Sequence, residues 1–256
     1  MAAALNGLGL RAVDLGLVWE RLSGKYPIVE EHAPVPNPIE TFAAATAAPT
    51  VSFQVFDAPP AARLWLLSSD QTELAQIQVD RVGFNWRRIL GNEVYPRFPR
   101  VRESFEEVYT SVLEFAASRR PTEKVLATQC EVSYMNEIPA VGGGGGHGDP
   151  DPVLQLWKPV TDVLPGPAED VRFATRHRLP EDKRTRGGRL LIELLPVNRP
   201  VTMEPLYLLS LTVRGEPATS DVAGVRAFLE LGHEVIVKTF ASITTTTMHE
   251  QWGKIL

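Results

Sequence analysis

The chain has 256 residues, 44% hydrophobic and 22% charged, with a formal net charge of -5. That suits one large or two small globular domains with a sizeable core; the single Cys excludes an intrachain disulfide framework and fits a reducing cytoplasm. No run of about 18 uncharged apolar residues occurs, so no membrane span is expected. The opening MAAALNGLGLRAVDLGLVW has no basic residue ahead of its apolar part, and Asp14 interrupts it, so it does not read as a secretory signal.

In chain order, Leu10, Val13, Leu17, Val18, Leu22 and Tyr26 predict a helix over 10–26, ended by Gly24 and Pro27. No strand is predicted ahead of it. Residues 33–50, with Pro34, Pro36 and Pro38, read as an extended connector. Strands are expected at Val51–Phe56 and Arg63–Ser68. From Leu74 the apolar positions are odd at Ile77 and Val79 but even at Val82, Phe84 and Trp86. Side chains alternate faces along a strand, so this change near Asp80 and Arg81 calls for a bulge, for two short strands, or for a strand buried on both sides. Phe98, Val101, Phe105, Val108, Val112 and Phe115 then form one apolar helical stripe, entered through Pro96 and ended at Arg119-Arg120-Pro121. A returning strand runs through Cys130 to Ile138.

PAVGGGGGHGDPDP reads as a flexible linker. Beyond it, strands are expected at Val171–Arg178, Arg189–Val197 and Leu206–Arg214. A second long helix follows through Val222, Val225, Leu229, Ile236 and Phe240; Gly224 and Gly232 lower its propensity, so packing must support it. The spacing of Thr247 and Glu250 predicts a capped terminal helix through Trp252. The order strand-strand-strand-helix thus occurs twice. The expectation is an α+β fold: two strand-meander-plus-helix halves around antiparallel sheet, with an N-terminal helix and a short C-terminal one. The halves are 1–138 and 169–256, joined by a linker at 139–168 and fused into one domain.

IQVDRVGFNWRR, the YPRF that opens the long helix, CEVSYMNEI and FASITTTTMHEQW together resemble an uncharacterised, sporadically distributed bacterial family of similar length, over residues 20–256. The resemblance implies an accessory gene, of a mobile-element, defence or specialised-pathway kind, and brings no functional residues with it. It also implies a strand ahead of the first helix, from which this sequence departs.

Charge is unevenly placed. Between Arg81 and Arg102 lie six Arg against one Glu, a net of +5; between Arg172 and Arg189 lie seven Arg or Lys against two acids, again +5. The remainder carries -15, a layout that marks either an anion-binding face on an acidic body or solvated arginines paired with acidic helices. Arg81, Arg87, Arg88, Arg172, Arg176 and Arg178, with Asn85 and Trp86, are the candidate ligand-binding residues, the arginines expected on one face; the competing expectation is internal ion pairing, such as Arg81 or Arg87 with Glu131. Arginine interleaved with Trp86, Tyr95 and Phe98 also suits base stacking.

No catalytic signature occurs. There is no G-x-S-x-G elbow and no phosphate-loop Lys, and Cys130 lies in an apolar strand. His147 sits in the glycine run with no second shell, so no metal and no cofactor are expected. The expectation is a cytoplasmic, non-catalytic binding, adaptor or regulatory protein with a protein partner. The alternative is a protein that binds nucleic acid or a phosphorylated small ligand through the arginine-rich face; an enzyme is the third reading.

Overall fold

The computed structural model describes residues 1–38, 40, 42, 62–140, 146–156, 158 and 164–252. Its elements are β1 (Ala2–Asn6), α1 (Ala12–Leu22), β2 (Ile28–His32), β3 (Arg63–Leu67), β4 (Glu73–Gln78), β5 (Arg81–Trp86), α2 (Arg97–Arg119), β6 (Leu126–Pro139), β7 (Phe173–Arg178), β8 (Thr185–Asn198), β9 (Pro205–Pro217), α3 (Val222–Ile243) and α4 (Thr246–Gln251). They make a mixed α+β fold: one nine-stranded antiparallel sheet, in the order β2-β3-β4-β5-β1-β6-β9-β8-β7, with four helices. Among the described residues no helix is long and apolar enough to cross a membrane. The strand expected at Val51–Phe56 and residues 142–145 of the glycine run lie outside the described residues.

Three details differ from the sequence reading, and one more decides among the alternatives it left open. A strand does precede the first helix: β1 pairs with β5 on one side and β6 on the other. Its run of alanines hid it, because alanine is depleted in strands and gives no alternating pattern when both faces are covered. β2, pairing with β3 from Ile28↔Leu67 to His32↔Arg63, lies between the expected helix and the expected connector, where no element was assigned. The change of apolar register at Asp80 is neither a bulge nor a doubly buried strand but a hairpin. Gln78 pairs with Arg81, and Val79 and Asp80 form the two-residue turn between two short strands. The terminal helix is capped by Thr245 rather than Thr247, its hydroxyl accepting from Met248 N at 3.4 Å.

The chain divides into two compact units. The first comprises Met1–Glu131, Glu181–Gly187 and Gly215–Glu230. Here α1 and α2 cover one sheet face, where Ala3, Ala75, Ile77, Val82, Phe84 and Cys130 are buried with Leu15, Val18, Phe105, Val108 and Val112 of the helices. Tyr26 sits edge-on to Phe84 at 6.4 Å and donates to Glu73 Oε2 at 3.2 Å, which satisfies a buried phenol. The opposite face carries polar side chains, and residues 35–38 and 40 lie against it. Gln78, buried, accepts from Val35 N at 3.1 Å and donates to Val35 O at 2.9 Å. Gln129, also buried, accepts from Glu40 N at 3.1 Å and donates to Pro38 O. The two amides supply the partners that a neighbouring strand would, as buried backbone requires.

The second unit comprises Val132–Pro180, Gly188–Arg214 and Leu231–Leu256. Its core joins Val132 and Ile138 of β6, Leu190, Ile192 and Leu194 of β8, and Tyr207, Leu209, Leu211 and Val213 of β9 with Ile236 and Ile243 of α3. At Gly232 α3 lies close against the sheet: a Cβ there would stand 2.8 Å from Val132 Cγ2. Below it, Thr244 Oγ1 and His249 Nε2 are 2.7 Å apart and both buried, tying α3 to α4.

Candidate binding surfaces

The eight residues singled out from sequence fall in two places. In the first unit, Arg81 begins β5 and is an ion-pair partner: its Nη2 is 3.3 Å from Glu131 Oε1, with side chains 16% and 20% exposed, and its Nη1 donates to Asn37 Oδ1 at 3.3 Å. Asn85 and Trp86 close the strand. Asn85 is exposed and accepts from Gln76 Nε2 at 2.6 Å, while Trp86 meets Tyr95 edge to face at 5.2 Å. Arg87 donates from Nε to Gln71 O at 3.0 Å. Arg88 is exposed and has no ion-pair partner among the described residues.

The loop these residues enter has its own architecture. The carboxylate of Glu93 accepts from the backbone N–H of Ile89 at 3.2 Å, Leu90 at 2.7 Å and Gly91 at 3.0 Å. These bonds hold the Glu93 carboxyl below the usual carboxylate range, the bond from Leu90 first. Gly91 takes φ 92, open to glycine, and the loop closes at Arg97 with φ 68. That conformation costs a non-glycine residue about 1–2 kcal/mol and persists where the surroundings impose it. Leu90 and Val94, 83% and 88% exposed, are thereby held out into solvent. The sequence reading missed both. The signal was present in RRILGNEV, where apolar residues flank a Gly-Asn pair between a strand and a helix.

In the second unit, Arg172 precedes β7 and lies 3.2 Å from Asp170 Oδ1. Arg176 and Arg178 project on one face of β7, opposite Leu191 and Arg189 of β8. Residues Ala174 to Arg178 are all exposed, and β7 ends the sheet, with no strand on its outer side among the described residues. Such an edge offers backbone groups to an added strand.

Other chemistry is accounted for structurally. Cys130 is buried, and burial pushes its thiol far up, away from the nucleophilic thiolate. His147 is not part of a solvated linker: its Nε2 lies 2.9 Å from Val197 O and 3.1 Å from Leu206 O, with its ring edge-on to Tyr207 at 5.7 Å. Among the described residues no group of three or more His, Cys, Asp or Glu stands together as a metal site.

Neither protein-family models, nor curated proteins, nor solved structures give a match to this chain.

Proposed function

We propose that this is a non-catalytic binding or adaptor protein that acts through a protein partner, and that the β5–α2 loop is its docking point. One observation carries the reading: Leu90 and Val94 are presented to solvent by a turn whose amides are tied to Glu93. Exposed apolar side chains on a mobile loop lose entropy on binding; on a fixed turn most of that cost is already met in the free protein. Apolar anchors flanked by arginine suit a protein pocket with an acidic rim. The setting in a bacterial accessory or defence module comes from the sequence resemblance.

A second reading, nucleic-acid binding, is favoured by the Trp86–Tyr95 pair next to Arg87 and Arg88. Salt separates the two. Binding to a phosphate backbone weakens steeply with ionic strength because each neutralised phosphate releases counterions. Binding through Leu90 and Val94 changes little with salt and is lost in the Leu90→Asp/Val94→Asp variant.

A further inference from the structure

The turn between β1 and α1 seats against the end of α2. Gly7 and Gly9 both take left-handed backbone, φ 77 and 63. A Cβ on Gly7 would stand 2.5 Å from Lys124 O, and one on Gly9 would stand 3.0 Å from the guanidinium of Arg120. Only glycine lets the turn lie this close. Beside it is a cavity of about 280 Å³ lined by Leu8, Gly9, Leu10, Arg11, Asp14, Arg119 and Arg120. Three arginines and one aspartate leave the lining with two positive charges.

The charges are unequally compensated. Asp14 caps α1, accepting from Arg11 N at 2.9 Å and standing 3.3 Å from Arg11 Nε, so its carboxylate is committed. Arg120 Nη1 lies 3.0 Å from Glu123 Oε1. Arg119 makes no close ion pair among the described residues, though its charge helps hold the Asp14 carboxyl down; its guanidinium lies 5.3 Å over the Phe115 ring, with Arg21 at 4.9 Å from the same ring. Cations at a helix C-terminus offset the helix dipole, but that role needs neither a cavity nor a glycine turn folded onto Arg120. Because Asp14 already caps the start of α1, the charge available to a ligand is that of the guanidinium groups.

We propose that this cavity binds a phosphate group, carried as the phosphomonoester of a small ligand. A guanidinium fork matches phosphate oxygens, and with Arg11 and Arg120 each beside a carboxylate the excess guanidinium charge at Arg119 favours a phosphate dianion over a single carboxylate. The volume lies just below the range of about 300–1,000 Å³ for drug-sized ligands, so it takes the phosphate with a small appended group.

The test is calorimetric titration of the full chain with inorganic phosphate and with phenyl phosphate, against acetate at matched ionic strength. Saturable binding of both phosphates and not of acetate is expected. Arg119→Gln weakens it about tenfold or more, Arg119→Lys weakens it less because charge without the fork is retained, and Arg176→Gln leaves it unchanged. The melting temperature of Arg119→Gln without ligand falls by no more than a few degrees, since the side chain is exposed and gives up only its place over Phe115 and at the helix end. Absence of saturable phosphate binding, equal binding of acetate, or equal weakening by Arg176→Gln overturns the proposal.

Discussion

Arg81 and Glu131 meet across β1, Nη2 to Oε1 at 3.3 Å. The register places Arg81 opposite Ala4 and Glu131 opposite Ala2. The bridge therefore passes over the part of β1 that presents the methyl groups of Ala2 and Ala4 on that face. The alanines that concealed β1 in the sequence are what make room for the ion pair. Replacing Arg81 by Ala should cost about 1–3 kcal/mol, because it removes a charged hydrogen-bond donor from a mostly buried carboxylate. Ala4→Leu should cost a similar amount by pushing the pair apart. Chemical denaturation measures both. The double variant Arg81→Ala/Glu131→Ala should be less destabilised than the two single changes added together.

Two glycines in helices should respond in opposite directions to alanine. Gly16 in α1 is exposed, and nothing stands within 4 Å of an added Cβ; Gly16→Ala should raise stability by up to about 1 kcal/mol through helix propensity. At Gly232 the same gain is opposed by a Cβ 2.8 Å from the branched side chain of Val132 and 3.4 Å from Val213. Overpacking costs about 1–3 kcal/mol and should win. Thermal melts of the two variants, moving in opposite directions, check this.

What was legible in the sequence was what periodicity encodes. The stripe from Phe98 to Phe115 fixed α2, and the strand expected at Arg189–Val197 falls within β8. The hairpin at Val79 and Asp80 was visible only as a register change with three explanations, because its turn has no Gly-Gly or Asn-Gly pair. β1 was illegible because alanine carries little strand signal. The arginines were visible as a charge excess, and the pairing of Arg81 with Glu131 was one of two pairings expected; the bond of Arg87 to the Gln71 carbonyl and the pair of Arg172 with Asp170 were not anticipated. Arg119 was read only as a helix end, since the turn facing it comes from residues more than a hundred positions earlier.

The turn that presents Leu90 should be pH-dependent. Glu93 is held below its ordinary value by amides that bond its ionised form. A group whose folded value is depressed contributes stability above its unfolded value and loses it as pH falls through the folded one. The amide resonances of Ile89, Leu90 and Gly91 should therefore shift together on acidification, with a midpoint below the usual glutamate range, and Glu93→Gln should abolish the transition. A midpoint at or above that range, or three independent shifts, would contradict the cap.

The most direct measurement of the central claim is capture from extract of the native host on the immobilised protein, run in parallel on the Leu90→Asp/Val94→Asp variant at low and high salt. The account predicts one protein retained stoichiometrically by the parent chain at both salts and lost by the variant, whose melting temperature is unchanged because both side chains stand in solvent. Retention of the same protein by both forms, or retention of nucleic acid released by salt, would contradict it.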